Sequence, residues 1–324
     1  MVTDVENGIS KIASVIVTYN NGDNIEKLLD SLFTQSKPIE EIIVVDNASS
    51  DGTLQMVKER FPQVTLLANA SNTGVGGGYA QGMEYAYQKG YEWIWLLDGD
   101  SLPQTSALEE LAKAFTGLRP VHPEIGILAS SPVIPLTGIR WDGFLWKDRF
   151  KRFLKEIPYS NKPSSVDSVI SSGSLVNRAV IETAGLPRAD FFMDFVDHEY
   201  NLRVRRRGYE IIYVPNSVIY HDIGTSPPTL SRIGRVVARF IKNRDPGAIH
   251  SPWRYYYMMR NELYTFWHEF RNYKALFYFM LLVIARIAQM YLYNDEDKIQ
   301  KIKYILLGIR DGFKGKLGKT ISPE

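Results

Sequence analysis

The first hundred residues alternate short β-branched runs with stretches of helical apolar spacing, and this alternation limits the fold more than any other feature of the chain. Residues 14–20 (SVIVTYN), 41–47 (EIIVVDN), 64–69 (VTLLAN) and the EWIWLL run before Asp98 read as buried strands. Between the first two, apolar residues at Ile25, Leu28, Leu29 and Leu32 predict a helix. Further helices are expected from Thr53 to Arg60 and from Ala80 to Lys89. Strands joined by helices form βαβ units, which build a mainly parallel sheet covered on both faces. The expected fold is α/β.

Polar residues gather where those strands end: Thr18-Tyr19-Asn20, Asp46-Asn47, Asn69 with Asn72, and Asp98-Gly99-Asp100. Open α/β sheets bind ligands outside the carboxyl ends of their strands. Asn and Asp also cap helices, so any one of these loops has a purely structural reading. All of them at one sheet edge point to a binding site. Asp98 and Asp100, one residue apart after an apolar strand, suit a hard divalent cation, and Gly99 lets the backbone turn tightly between them. The same D-G-D also serves as an ordinary turn.

Asp197-His198-Glu199 opens a helical stretch that continues through Arg203 and Arg205 to Arg207. A carboxylate there is a candidate general base toward a hydroxyl, although acids at a helix start and arginines at its end also suit the helix dipole. His221, after NSVIY, is a further candidate ligand or a structural histidine. GVGGGYAQG (74–82) fails as a dinucleotide loop, because it follows the third strand and Tyr79 replaces the third glycine. Close backbone approach to a bound nucleotide-sugar, or a flexible turn, is the expectation for these glycines.

Composition removes several classes. Lys+Arg 38 against Asp+Glu 36 leaves +2, which excludes a polybasic protein that coats nucleic acid. With no cysteine, disulfide staples, thiolate zinc sites and cysteine nucleophiles are excluded, in keeping with a reducing compartment. The N-terminus lacks a basic start followed by an apolar core, so no signal peptide is expected and a cytoplasmic location is. The most apolar run, ALFYFMLLVIA (275–285), lies between Lys274 and Arg286 and falls short of the about 20 residues a spanning helix needs.

Taken in order, VIVTYNNGDNIEKLLDSLFTQS, IIVVDNASSDGT, NTGVGGGYAQGM, WLLDGDSLP, SSGSLVNR and FVDHEYNLRVRRRGY resemble the family 2 inverting glycosyltransferases of GT-A fold, over residues 12–225. The DNASSDGT form and RYYYMMRNELY are most like the rhamnosyltransferase and galactofuranosyltransferase branch. The resemblance implies a Rossmann-like GT-A catalytic domain over residues 1–230. A composition shift sets off residues 231–324 as a helical, basic and amphipathic region for membrane association, acceptor binding or dimerisation. By the same resemblance, Thr18, Tyr19 and Asn20 would edge the nucleobase pocket and Asp46 would bind base or ribose. Asn72 and Gly74 would lie near the nucleotide-sugar. Asp98 and Asp100 would hold Mn²⁺ or Mg²⁺ with His221, Asp98 also facing the donor, and Asp197 would be the catalytic base. His198 falls where the branch varies, and no role is assigned to it. The implied reaction moves a sugar, best matched by L-rhamnose from dTDP-rhamnose, from a dTDP- or UDP-linked donor to a lipid-linked or cell-envelope glycan; homo-oligomerisation stays open.

Two other readings compete. A nucleotidyltransferase would carry a Gly-rich loop with Arg or Lys after its first strand, and VTYNNGDNIEKLL does not. A catalytically silent nucleotide-sugar-binding or membrane scaffold protein has no need of Asp98, Asp100, Asp197 and His221 together. Between Asn201 and Arg260, eleven Lys/Arg stand against three acids, net +8, ahead of the apolar residues 273–293. That juxtaposition suits an element on the inner membrane surface, with Leu276, Phe277, Met280, Leu281, Ile284, Ile287, Ala288 and Tyr291 on one apolar face. A helical hairpin packed on the catalytic domain, or a dimer interface, is the alternative.

Overall fold

In β1 (Ile12–Thr18) side chains alternate between two cores: Ile12 and Ile16 face one layer, Ala13, Val15 and Val17 the other. That period of two, apolar on both faces, is what a strand covered by helices on each side requires. The computed structural model describes residues 8–135, 138, 140, 161–221, 250–292 and 297–322. The composition boundary near residue 230 and the cations Arg232, Arg235, Arg239, Lys242 and Arg244 lie outside the described residues.

The chain divides into two compact units. The first comprises Met1–Phe144, Tyr159–Ala189 and Tyr200–Asp222; the second comprises Leu145–Pro158, Asp190–Glu199 and Ile223–Glu324. In the first, β1 pairs in parallel with β2 (Glu41–Asp46) and β4 (Trp93–Asp98), and β3 (Thr65–Ala68) extends the parallel run beyond β2. β8 (Ser174–Asn177) enters antiparallel between β4 and β6 (Ile125–Val133). β9 (Glu210–Tyr220) runs parallel to β6 and takes β5 (Leu102–Pro103) and β7 (Ser164–Val166) as antiparallel neighbours. The sheet is thus mixed, with a parallel half made of the first four strands.

Helices α1 (Gly22–Phe33), α2 (Thr53–Arg60) and α4 (Ala107–Leu118) cover one face, where Leu28, Leu32, Val57, Leu111 and Phe115 meet Ile16, Val44 and Trp95. Helices α3 (Gly74–Gln88) and α5 (Arg178–Ala184) cover the other, where Tyr79, Met83 and Val180 meet Val15, Val45 and Leu96. The sequence expectation for α3 is corrected here. The helix begins at Gly74 rather than Ala80, and its glycines lie against the sheet rather than in a loop. A Cβ on Gly78 would stand 2.6 Å from Val17 Cγ1, and one on Gly82 would strike Val15. These glycines let helix and sheet approach closely, which is a packing role.

α6 (Val196–Arg206) begins in the second unit, whose described residues include the helices α7 (Pro252–Tyr264), α8 (Tyr273–Leu292) and α9 (Lys298–Phe313) and a π-helical turn at Thr265–Glu269. α9 lies tight on α7 because Gly308 and Gly312 have no side chains; a Cβ on Gly312 would sit 2.8 Å from the Arg260 carbonyl oxygen. Tyr255, Met259 and Leu263 of α7 form the core with Phe279, Val283, Met290 and Ile305.

Two tail expectations change. The apolar run does not stop at Arg286: α8 continues to Leu292, and this 20-residue helix, with an 18-residue stretch of mean hydropathy 1.8, is long and apolar enough to cross a membrane by length and composition. Its apolar residues also do not share one fate. Leu276 and Ile287 pack on the core, whereas Phe277, Met280, Ile284, Ala288 and Tyr291 are exposed. Two of the counted cations are likewise turned inward. Arg260 is fully buried, and Arg254 pairs with Asp194.

Candidate active site

Register alone brings the first acids together. Thr18 pairs with Asp46 across β1 and β2, and Val17 pairs with Asp98 across β1 and β4, so three strands end at one edge. Asp46 is buried. Its Oδ2 accepts from the Ser49 N–H at 3.0 Å, while its Oδ1 has no partner among the described residues. Thr18 Oγ1 is buried and likewise unpartnered among the described residues. Two such oxygens side by side at a strand edge are costly unless a ligand satisfies them.

Asn20, in the left-handed region at φ 49°, accepts from the Ser50 N–H at 2.7 Å and donates its own N–H to Ser49 Oγ at 2.9 Å, tying the two loops together. Tyr19 beside it is 46% exposed, leaving its ring available to a ligand. Asn72 Oδ1 accepts from the Gly74 N–H at 2.8 Å and so shapes the start of α3. The pin between the second loop and α3 is Asn47, which donates to the Gly74 carbonyl at 3.0 Å and accepts from Thr73 and Asn69.

Asp98, Asp100 and His221 converge, although His221 comes from the far end of β9. Their potential ligand atoms lie within 4.8 Å of one another. His221 Nδ1 is 3.2 Å from Asp100 Oδ1, and Nε2 is 3.6 Å from Asp98 Oδ2. Gly99 fits between them because a Cβ there would meet Thr18 Oγ1 and Asn21 Nδ2, each at 2.9 Å.

Three supporting residues escaped the sequence reading. Tyr79 donates from α3 to Asp98 Oδ1 at 2.7 Å. Ser172 accepts from the Asp98 N–H at 3.1 Å and bonds Ser101 Oγ at 2.6 Å, and Ser101 Oγ stands 3.1 Å from His221 Nδ1. The only sequence signal for Ser172 was the SSGS turn, whose Gly173 adopts φ 85° and donates to the Leu96 carbonyl.

Asp197 belongs to the second unit. It sits in the first turn of α6, half-buried, with Oδ1 accepting from the His198 N–H at 2.7 Å. The His198 imidazole lies edge-on to Phe195 at 5.2 Å.

A sequence model of Glycosyl transferase family 2 matches residues 14–183. The chain is 26% identical over 313 residues to the dTDP-rhamnosyl transferase RfbF of Shigella flexneri, covering 95% of this chain and 97% of that protein. It is 28% identical over 222 residues to the galactofuranosyltransferase GlfT1 of Mycolicibacterium smegmatis, covering 66% of this chain and 72% of the relative. The crystal structure of GalNAc-T7 with UDP, GalNAc and Mn²⁺ aligns with a TM-score of 0.50 at 14% identity, over 78% of this chain and 50% of that one, a likeness of fold.

Proposed function

Because this chain belongs to glycosyl transferase family 2 and has a GT-A-like fold, we propose that it moves L-rhamnose from dTDP-rhamnose to a hydroxyl of a lipid-linked or cell-envelope glycan, inverting the anomeric centre. The observation that carries this reading is the meeting of Asp98, Asp100 and His221 beside the unpartnered oxygens of Asp46 and Thr18 at one sheet edge. Two carboxylates and an imidazole suit Mn²⁺ better than Mg²⁺, which favours all-oxygen ligation.

Asp98, Asp100 and His221 are the residues that would hold the cation, and a bound divalent ion neutralises charge on a diphosphate leaving group. Tyr79 and the two serines keep those ligands in place. Asp46 Oδ1 accepts from an N–H or O–H of the nucleoside. Asp197 takes the proton of the acceptor hydroxyl as that oxygen attacks the anomeric carbon. The new glycosidic bond forms while the sugar–phosphate C–O bond breaks, and the nucleoside diphosphate leaves with the electron pair. A single displacement needs no carboxylate nucleophile.

The acceptor class and a peripheral position on the inner membrane surface draw support from the second unit. Exposed Tyr273, Phe277, Met280, Ile284 and Tyr291 form a line along α8, and exposed Ile299, Leu306 and Phe313 form another along α9, interleaved with Lys303 and Arg310. Trp267 joins the two lines, its ring 6.2 Å from Tyr273 and 5.3 Å from Phe313. At the other end Lys298 lies 5.6 Å over the Tyr291 ring. Apolar side chains flanked by aromatic rings and cations suit the headgroup level of an anionic leaflet.

The test is product formation from dTDP-rhamnose, dTDP-glucose and UDP-galactofuranose with a lipid-diphosphate glycan acceptor, with and without Mn²⁺. Rhamnosyl transfer that needs the metal is expected. Transfer from UDP-galactofuranose alone reassigns the donor, and no transfer from any of the three sinks the reading.

A further inference from the structure

We propose that Asn261, braced by Arg260 and assisted by Arg254, is a positioning residue for Asp197: it clamps the turn from Asp190 to Phe195 from which α6 starts. The inference rests on the reading of Asp197 as the base.

The turn is strained. Phe192, Asp194 and Phe195 adopt φ of 65°, 56° and 65°, a left-handed conformation that phenylalanine in particular rarely enters, and such residues persist only where their surroundings hold them. A buried amide lies at the centre of what holds them. The two hydrogens of Asn261 Nδ2 are shared among the carbonyl oxygens of Met193 and Asp194, each at 2.8 Å, and of Phe191 at 3.1 Å. Arg260 fixes which way that amide points, because its Nε donates to Asn261 Oδ1 at 2.8 Å. Its Nη2 also reaches the Phe191 carbonyl at 2.9 Å, and its Nη1 the Gly318 carbonyl at 2.6 Å. At the rim, Arg254 grips the Asp194 carboxylate through Nε and Nη2 at 3.2 and 2.5 Å.

Arg260 and Asn261 are both fully buried. Burying a guanidinium and an amide side by side is expensive, and an apolar pair of similar size would fill the same space without that desolvation. The Asn261 amide and Arg260 Nη2 go to backbone carbonyls of one turn, while Arg260 Nη1 ties that cluster to the Gly318 carbonyl. The polar choice therefore serves geometry rather than core stability. The turn feeds directly into α6, where the Glu199 N–H bonds the Phe195 carbonyl at 3.0 Å and Asp197 occupies the turn so formed. Without the clamp, the positive φ of Phe192 and Phe195 rests on ring packing against Tyr257 and Phe266, and the start of α6 shifts as the turn relaxes.

The experiment is a double-mutant cycle on the full chain between Asn261→Ala and Asp197→Asn, reading kcat, donor KM and melting temperature with dTDP-rhamnose and acceptor. A residue that acts through Asp197 shows strong non-additivity. Asn261→Ala alone should lower kcat by about 10- to 100-fold, the scale of a misplaced catalytic group, with donor KM near the wild-type value. In the Asp197→Asn background it should lower kcat little further. Arg254→Gln, at the half-buried rim, should give the same pattern more weakly, and it carries the cycle if Asn261→Ala does not fold. Effects on kcat that multiply in full, or that track lost donor affinity, overturn the clamp while leaving Asp197 as the base. An unchanged kcat in Asp197→Asn alone strikes the base reading, and this inference with it.

Discussion

The Tyr79 hydroxyl donates a 2.7 Å hydrogen bond to Asp98 Oδ1. The ring is fully buried in the core between α3 and the sheet, so the helix that covers β1 also fixes an acid at the end of β4. Tyr79→Phe keeps the packing and removes the donor. A hydrogen bond to a charged group contributes about 1.5 kcal/mol or more to stability, so the melting temperature should drop by a few degrees, and turnover should fall as Asp98 loses its orientation. A Mn²⁺ titration alongside shows whether the loss comes with weaker metal dependence; identical titrations and rates would remove Tyr79 from the site.

Asp100 is exposed and faces His221 at 3.2 Å, so it is replaceable without unfolding the sheet. Asp100→Ala should abolish most turnover and most Mn²⁺-dependent binding of dTDP-rhamnose, both measurable by calorimetry and product assay. Full activity in EDTA would contradict metal-assisted transfer outright.

Asp197→Asn preserves the shape of the side chain and its acceptance from the His198 N–H, but cannot take a proton. Donor binding should survive while transfer drops by about 10² to 10⁴-fold. Loss of donor affinity with an intact chemical step would assign this residue to binding instead.

The α8 line offers a cleaner membrane test than truncation, because α7, α8 and α9 share one core and removing a helix would open it. Phe277 and Ile284 are 61% and 62% exposed, so Phe277→Glu with Ile284→Glu should leave the melting temperature unchanged. Co-sedimentation with vesicles containing anionic lipid should be strong for the wild type and weaker at high salt. The variant should not sediment. Equal sedimentation of both proteins would place the membrane contact elsewhere.

Burial, with the Arg254 guanidinium next in weight, lowers the pKa of His250 from 6.5 to about 4; Asp194 opposes this, and Arg286 and Lys301 reinforce it. The folded chain keeps this imidazole neutral where the unfolded chain would protonate it. Its contribution is therefore complete above pH 6.5 and drains away as the pH falls toward 4, up to about 3 kcal/mol in all. The urea midpoint of the wild type should keep a constant offset from that of His250→Gln above 6.5 and fall relative to it below. Parallel lines throughout would show that His250 titrates normally.

Local pattern was enough for the parallel half of the sheet. The alternation of Ile12 and Ile16 with Ala13 and Val15 marks a strand covered on two faces, and the chain-order rule for βα units then brings Thr18, Asp46 and Asp98 to one edge. Those features have periods of a few residues, so they survive in the sequence without the fold. Other features depend on which distant segments meet. Gly78 and Gly82 are loop-like by composition, and only the presence of Val17 and Val15 opposite them makes them packing residues. Ser101 reaches the His221 ring across a separation of 120 residues, which no spacing rule encodes. Ile284 and Ile287 are chemically the same on α8, yet one is exposed and the other packs on the core against α7, because burial is set by the partner helix and not by the residue. Arg260 and Asn261 look like surface-polar residues in a basic stretch. Their burial was decided by a strained turn some seventy residues earlier, whose carbonyl oxygens accept from both side chains.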